Sequence, residues 1–423
     1  MNRVWRKWMI GSACAASVIM MSACGGGEEK ADDGQVELTI WLWKSMGIES
    51  LIEQYAEEHD IKVNIQIADF NDVHTNLTTA LAAGSGAPDI SAIEVKGIDK
   101  MKANPDHFHN LFDYGGAEAE GDYLDWKWQQ ALSIDGEYLL GLPTDIGPQA
   151  LAYRVDLFEE AGLPTDREEV AEQLKTWDDF IAAGELVKEK TGKAILPNPG
   201  NMYAVMEGQG DSKYFDAEGN IIVEDNPAIH RAYDYAMEVI GKGLTTNMED
   251  GSTEWSAGLV NGDFATVVAP AWRMTQIQES APDAAGLWDI TQIPEGSGNM
   301  GGSFLTVPKE SKHPQEAYDL IEWVLAPEQQ LTVFRELGNF PSTPSVYDSE
   351  ELVNFTSEYF NDAPVGKIYS EAAERVTPIL EGPESIQIEK ILGDAVTRVQ
   401  DGQDTPESSW DAAMKSLERE IGR

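Results

Sequence analysis

The feature that most constrains this chain is a regular alternation of strand and helix patterns that begins at Val36. In order, the hydrophobic periodicity predicts a strand at 36–43, a helix at 48–58, a strand at 61–67, a helix at 73–83 and a strand at 89–95. This β-α-β-α-β order predicts an α/β fold with a parallel sheet. In such folds, ligands bind near the carboxyl ends of the strands.

The rest of the chain continues this mixed pattern. Further helices are predicted at 176–190, 314–325, 327–337, 384–399 and 406–421, with a hairpin at 213–223. About 400 residues suffice for two or three domains, each with its own core. Of the two cysteines, Cys14 lies in a segment that we expect to be removed, so no intramolecular disulfide is expected in the mature chain.

The N-terminus has the pattern of an export signal. Arg3, Arg6 and Lys7 precede an uncharged, mostly apolar stretch at 8–21, which is too short to remain as a membrane-spanning helix. We therefore predict a signal peptide at residues 1–23. The Gly-rich, charged segment at 24–35 is typical of a flexible tether.

The composition is strongly acidic. The chain carries 74 acidic and 30 basic residues, a formal net charge of −44, and the acidic residues are spread along its whole length. Such a surface repels nucleic acid and anionic lipid, so no nucleic-acid partner is expected. The even spread indicates a solvated acidic surface rather than one acidic binding patch.

Motifs for catalysis are absent from the sequence. It contains no P-loop, no Gly-x-Ser-x-Gly elbow, no His-Glu-x-x-His and no Cys-x-x-Cys, and we expect neither a metal nor a cofactor. A glycoside hydrolase or lyase remains an alternative, because two carboxylates across a cleft would suffice for hydrolysis. A binder of another solute, such as a polyamine, is a second alternative.

Tryptophan is the residue type that indicates a ligand class. Twelve are present, two of them in the predicted signal peptide. A flat aromatic ring covers the C–H face of a sugar, while carboxylates, amides and basic groups bond its hydroxyls. A Trp-rich, acidic chain therefore favours sugar binding over catalysis.

Several segments, taken in order, resemble the carbohydrate-binding branch of the extracellular solute-binding lipoproteins, the maltose-binding-protein-like family. They are Leu38 to Trp43, Gly86 to Ile90, Gly141 to Pro148, Tyr153 to Phe158, Ala161 to Pro164, Thr176 to Asp178, Asn261 to Ala265 with Trp272, Gly301 to Ser303, and Pro308-Lys309. The run from Met21 to Cys24 likewise resembles a lipobox, with Met21 where leucine is usual. The resemblance implies that Cys24 is lipidated.

The resemblance implies a two-lobed periplasmic-binding-protein-like fold whose hinged lobes close over a sugar. Each lobe would be discontinuous, with lobe I at 36–145 and 303–341 and lobe II at 146–302 and 342–423. We place the crossings near 145–148, 301–303 and 340–344. Hinges at such points let ligand binding shift the population toward a closed state.

The resemblance also assigns candidate ligand-binding residues on the lobe I side. Trp43 ends the first strand, where its side chain would face the cleft. Glu94 ends the strand after Ala-Pro-Asp and would accept hydroxyl hydrogen bonds. Asp145, at the first crossing, matches a frequent sugar-binding acid of the family.

The remaining candidates follow in the second half of the site. Tyr203 corresponds to a stacking tyrosine, and Trp272 matches the platform tryptophan of the family. Arg273 would bond hydroxyls, and Gly302 and Ser303 would offer backbone groups.

The function that the resemblance implies is capture of an oligosaccharide of two or more units and its delivery to an ABC importer, without catalysis. The expected partners are the oligosaccharide, the permease subunits and the membrane, reached through the lipid anchor. We expect a monomer on the extracellular face of the cell membrane, or on the periplasmic side in a Gram-negative host.

Overall fold

The computed structural model describes residues 35–133, 135–216, 218–377, 379 and 381–422. The predicted signal peptide, Cys24 and nearly all of the predicted tether lie outside the described residues. Residues from Val36 onward form one compact unit. Within the described residues, no helix is both long enough and apolar enough to cross a membrane.

Within the described ranges, eight strands form two sheets. The strands are β1 (Glu37–Trp43), β2 (Lys62–Ala68), β3 (Ile90–Glu94), β4 (Gly141–Pro143), β5 (Gln149–Arg154), β6 (Thr266–Pro270), β7 (Trp288–Gln292) and β8 (Ser303–Thr306). A five-stranded sheet has the order β2-β1-β3-β8-β4, and a three-stranded sheet has the order β6-β5-β7.

Seventeen α-helices are present in the described residues, joined in places by short 3-10 turns. They are α1 (Glu49–Glu58), α2 (Phe70–Ala83), α3 (Val95–Lys102), α4 (Asp125–Ala131), α5 (Val155–Ala161), α6 (Arg167–Gln173), α7 (Trp177–Thr191), α8 (Pro199–Glu207), α9 (Pro227–Gly241), α10 (Thr253–Asn261), α11 (Arg273–Ser280), α12 (Pro314–Val324), α13 (Pro327–Leu337), α14 (Glu350–Val353), α15 (Val365–Ala373), α16 (Ser385–Gln400) and α17 (Pro406–Ile421).

The predicted elements at both ends of the chain are confirmed within a few residues, because local signals define them. Gly84 ends α2 with a positive φ of 63°, and Thr176 starts α7 with a capping box to Asp179. The predicted hairpin at 213–223 is reduced to one antiparallel bridge between Phe215 and Ile221.

The expectation of a parallel sheet is only partly correct. β1 pairs in parallel with both β2 and β3, as the β-α-β-α-β order requires. β8, however, pairs antiparallel with β3 and with β4, and all pairs in the three-stranded sheet are antiparallel. These pairings join segments far apart in the chain, so local periodicity contains no signal for them.

Three groups of buried side chains form the cores. One packs on the five-stranded sheet and includes Leu38, Ile40 and Leu305. The three-stranded sheet is buried on both faces, because alternate residues of a strand point to opposite sides. Tyr153 of β5 packs in one core, and its neighbour Ala152 packs in another.

The three predicted crossing segments lie side by side. The backbone N–H of Ile146 donates to the Phe340 carbonyl at 2.9 Å, and that of Met300 donates to the Gly147 carbonyl at 2.8 Å. Thr144 N–H donates to the Ser303 carbonyl at 2.9 Å. The segment at 145–148 is therefore hydrogen-bonded to both 299–303 and 340–344. The lobe boundaries themselves stay a prediction.

Candidate functional site

One edge of the five-stranded sheet gathers most of the predicted site residues. β1 ends at Trp43 and β3 ends at Glu94, which pairs with Ser303 at the start of the antiparallel β8. β4 ends at the same edge, and Asp145 follows two residues later. Parallel and antiparallel strands thus contribute opposite termini to a single edge.

A cavity of about 800 Å³ opens at this edge, and we call it the strand-end cavity. Six of the eight predicted ligand-binding residues line it, namely Trp43, Glu94, Asp145, Trp272, Gly302 and Ser303. Its volume lies in the range of small-molecule clefts. The structure therefore brings together residues that span 260 positions of the sequence.

Trp272 is positioned at the start of α11 by two contacts. Its indole N–H donates to the Met300 carbonyl at 3.1 Å. The Arg273 guanidinium lies 4.9 Å from the centre of the Trp272 ring, a cation–π distance. Arg273 also forms an ion pair with Asp250 and is only 8 % exposed. Trp272 is thus held firmly while it lines the cavity.

Burial is the main influence on the pKa values of the Glu94 and Asp145 carboxyl groups. Burial raises the pKa of Glu94 to about 7, against the opposing effect of Lys96 and Lys127. Burial also raises the pKa of Asp145, although hydrogen bonds from Thr144 and from the Ser303 N–H, together with Lys127, favour its charged form. Burial thus shifts both acids toward the neutral form, and Glu94, with a pKa of about 7, lies close to the balance between its neutral and charged states near neutral pH.

Lys127 of α4 is a buried cation that favours the charged form of both acids. Its side chain is fully buried, its ammonium lies 4.0 Å from the centre of the Phe304 ring, and it has no hydrogen-bond partner among the described residues. Burial lowers the pKa of Lys127 to about 8, while Asp145 and Glu94 act in the opposite direction. Sequence patterns did not indicate this residue.

Gly302 and Ser303 contribute through their backbone. The Gly302 carbonyl accepts a hydrogen bond from the Val95 N–H, and the Ser303 N–H donates to Asp145 at 3.1 Å. Gly302 has a φ of 91°, and a Cβ there would lie 2.5 Å from the Asp145 carbonyl oxygen. These two residues hold the edge together, and both backbone groups already have partners within the protein.

A second cavity of about 250 Å³ adjoins the first, and we call it the charged cavity. The two cavities share Lys96, Met300 and Gly301. The charged cavity is lined by Val95, Lys96, Trp126, Gln130, Asn201, Ala204, Glu207, Gly208, Lys213, Asp250, Val268, Arg273, Asn299, Met300, Gly301, Val376, Thr377, Ile379, Glu381 and Glu389. Of the predicted residues, only Arg273 lies here.

Ion pairs hold the wall of the charged cavity. Lys213 is 8 % exposed and lies 3.0 Å from Glu207, 3.5 Å from Glu381 and 3.9 Å from Glu389. Lys96 of α3 bonds Glu389 of α16 at 2.7 Å. Although burial acts to raise the pKa of Glu389, Lys96 and Lys213 hold it below its usual range. Glu389 thus stays ionised near neutral pH.

Several polar atoms of this wall have no hydrogen-bond partner in the part of the chain that the structure describes. They are Gln130 Oε1, Asn201 Oδ1, Arg273 Nε, Glu381 Oε2 and Glu389 Oε2, all of them buried. Four of these five atoms are acceptors. A buried polar atom without a partner is costly, so unsatisfied groups around one cavity indicate a place for a polar ligand.

Tyr203 is the predicted residue that the structure does not bring to the site. It is 3 % exposed, packs in a core and lines neither of the two cavities. The phase of α8 explains the difference, because Asn201, Ala204 and Gly208 occupy the side that faces the charged cavity. Its neighbour Met202, the alternative residue at this position of the predicted site, is also fully buried.

Sequence reasoning missed Phe70, Lys96 and the charged wall. Phe70 and Lys96 had a usable signal, because each follows a predicted strand within three residues at the edge where ligands bind. The Lys213, Glu207 and Glu389 cluster had none. These two acids are among 74 in the chain, and their meeting depends on how α8 and α16 pack.

Comparison with known proteins adds a family to this geometry. A sequence profile described as bacterial extracellular solute-binding protein matches residues 50–358, well over half of the chain. The chain belongs to this solute-binding family. The expected resemblance is therefore confirmed at the level of the family.

Individual members of the solute-binding family align over most of the chain. The arabinooligosaccharide-binding protein of Bacillus subtilis (strain 168) is 25 % identical, over 95 % of this chain and 96 % of its own length. The lactose-binding protein of Rhizobium radiobacter is 28 % identical, over 77 % of this chain and 76 % of its own length.

A solved structure confirms the expected fold class. A crystal structure described as extracellular solute-binding protein family 1 superposes with a TM-score of 0.85 and 36 % identity, covering 91 % of this chain and 99 % of the other. This solute-binding protein accordingly has the two-lobed α/β fold.

Proposed function

We propose that this protein captures a neutral oligosaccharide of two or more units in the strand-end and charged cavities and delivers it to an ABC importer. The observation that carries the proposal is the position of Trp272, which lines the same cavity as the carboxyl groups of Glu94 and Asp145. The names of two aligned relatives, which bind arabino-oligosaccharides and lactose, support the same ligand class.

The chemistry of the strand-end cavity suits a sugar on both of its surfaces. The indole of Trp272 offers a flat apolar face to the C–H side of a pyranose or furanose ring. Glu94 and Asp145 offer acceptors to hydroxyl groups, and both bonds that Asp145 accepts in the described residues engage Oδ1. A hydroxyl donor to a charged carboxylate forms one of the stronger classes of hydrogen bond.

The charged cavity suits a hydroxyl-rich unit for a different reason. Its unpartnered acceptors need donors, and the hydroxyls of a sugar supply several donors in a small volume. At about 30 Å³ of liquid volume per water molecule, 250 Å³ corresponds to about eight waters, which is the scale of a single sugar unit. We infer that the ligand chain extends past Lys96 from one cavity into the other.

We propose that capture involves closure of two lobes and no chemical step. Lobe I would comprise 36–145 and 303–341, and lobe II 146–302 and 342–423. The segment at 145–148 is hydrogen-bonded to both 299–303 and 340–344, and such short connections are suited to act as hinges. Membership of a solute-binding family supports binding without turnover.

We propose that Cys24 carries a lipid that anchors the mature, monomeric protein at the extracellular side of the cell membrane, beside its permease subunits. A diacylglyceryl group supplies two chains, which suffice for stable anchoring. Cys24→Ala should leave the precursor unprocessed or release the protein from the membrane fraction. Detergent-dependent partitioning of the Cys24→Ala variant would contradict this.

A binding screen tests the function. The purified mature protein would be melted with arabino-oligosaccharides, galacto-oligosaccharides and lactose, together with the matching monosaccharides and spermidine. We expect stabilisation by at least one oligosaccharide, because a ligand that binds only the folded state raises its stability. Stabilisation by spermidine alone would favour the polyamine alternative.

The same mixtures test for turnover. We expect the oligosaccharides to remain intact over hours at high protein concentration, as measured by chromatography. Cleavage that disappears in Glu94→Gln or Asp145→Asn would establish a glycoside hydrolase or lyase instead.

A further inference from the structure

Phe70 is an exposed aromatic side chain at the strand-end cavity. Six large apolar side chains are exposed among the described residues, namely Ile67, Phe70, Leu186, Val260, Val353 and Ile386. Phe70 is 43 % exposed, and of these six it alone lines one of the two cavities described above. Covering an exposed phenyl ring with the apolar face of a ligand removes it from water, which is favourable.

The ring of Phe70 is held in place by two other aromatic residues. Its centre lies 5.2 Å from that of Trp43 in an edge-on arrangement and 4.7 Å from that of His74. Trp43 and His74 in turn stack 5.5 Å apart. Because its neighbours support one side of the ring, Phe70 offers its remaining surface without needing to rearrange.

His74 ties this aromatic group to the acidic end of β3. Its Nε2 accepts a hydrogen bond from the Glu94 N–H at 3.0 Å, so Nε2 carries no proton. Its Nδ1 therefore carries the proton and donates to the Phe70 carbonyl at 2.8 Å. Burial lowers the pKa of His74, which favours this neutral form. Phe70 and Glu94 are thus joined through one side chain.

We propose that Phe70 is a second stacking surface for the ligand and that it makes the site selective for chains over single sugars. One sugar ring would lie on Trp272, and a following ring would lie on Phe70, with Glu94 bonding hydroxyls near the second ring. This inference rests on the proposed oligosaccharide function. It adds a lobe I residue that recognises ligand length.

The test compares ligand lengths in the Phe70→Ala variant. Calorimetric titration would use arabino-oligosaccharides and galacto-oligosaccharides of one to four units. Loss of an aromatic contact from a ligand site typically lowers affinity by about tenfold or more. We expect a loss of about that size for chains of two or more units and an unchanged affinity for the monosaccharide.

Matched variants separate stacking from general disturbance. Phe70→Tyr keeps a flat ring and should retain the parent affinity, whereas Phe70→Leu keeps an apolar side chain without a flat face and should lose affinity. Leu186→Ala removes another exposed apolar side chain, at 40 % exposure, away from both cavities and should bind as the parent does. Thermal melts of each variant confirm that the fold is intact.

Two results would overturn the inference. One is a Phe70→Ala variant that binds every chain length as the parent does, and the other is an equal loss for monosaccharide and oligosaccharide. If Trp272→Ala still loses affinity in the same experiment, the proposed function stands and only the role of Phe70 is wrong. If the parent protein binds no sugar of the panel, the proposed function itself is wrong.

Discussion

The strand-end cavity and the charged cavity adjoin each other but are built in different ways. Strand termini and the loops that follow them supply Trp43, Glu94 and Ser303 to the first. Helices α3, α8 and α16 supply Lys96, Glu207 and Glu389 to the ionic wall of the second, and the loop residues Lys213 and Glu381 complete it. The first cavity combines apolar rings with a few acids, whereas the second is dominated by ion pairs and unpartnered acceptors.

This difference in construction gives the two cavities different expected roles in ligand binding. Aromatic faces in the strand-end cavity can hold a ring by contact area, which contributes affinity with little directional demand. The charged cavity demands matched hydrogen bonds, because each unsatisfied buried group opposes a ligand that cannot pair with it. We therefore expect the charged cavity to discriminate between sugars and the strand-end cavity to supply much of the affinity.

The largest expected effect concerns stability and the charged cavity. Lys213→Met leaves Glu207, Glu381 and Glu389 without their shared cation, and breaking a buried ion pair in this way costs about 3–5 kcal/mol. Chemical denaturation would measure the loss. Lys190→Met, which breaks an exposed pair with Glu189, should change stability by less than about 1 kcal/mol. Equal denaturation midpoints for the two variants would show that water already screens the ion pairs of Lys213.

The next effect concerns affinity and the strand-end cavity. Trp272→Ala should weaken oligosaccharide binding by roughly 30-fold, about 2 kcal/mol, because it removes a large aromatic contact. Trp177→Ala is the contrasting change, since Trp177 is fully buried and its truncation should cost about 3–5 kcal/mol of stability. Calorimetric titration and melts of both variants give the two quantities. If the Trp272→Ala variant binds with the affinity of the parent protein, the ligand site does not include Trp272.

The smallest effect concerns pH. Since sugar hydroxyls donate to the charged form of Glu94, whose pKa burial raises to about 7, binding favours loss of its proton. Affinity should rise by up to about tenfold between pH 6 and pH 8 and level off above that. Titrations across this range would measure it, with Glu94→Gln expected to flatten the profile. A profile that falls with rising pH would mean that the ligand accepts from a protonated Glu94.

The contrast between the cavities also describes how well sequence predicted the site. Trp43, Glu94, Asp145 and Trp272, which the family resemblance proposed, line one cavity. Their roles as ligand contacts stay predictions. Tyr203 packs in a core and lines neither cavity, since position in a sequence does not reveal which face of α8 is buried.

The sequence by itself determined the β-α-β-α-β order at 36–95, five later helices and the resemblance to the family, because periodicity, caps and short motifs depend on residues close together in the chain. Only the tertiary structure decided the antiparallel addition of β8, the burial of Lys127 and the meeting of Lys213 with its acids. Such contacts join distant segments, and their energies depend on burial and distance that arise after packing. Local periodicity contains neither quantity.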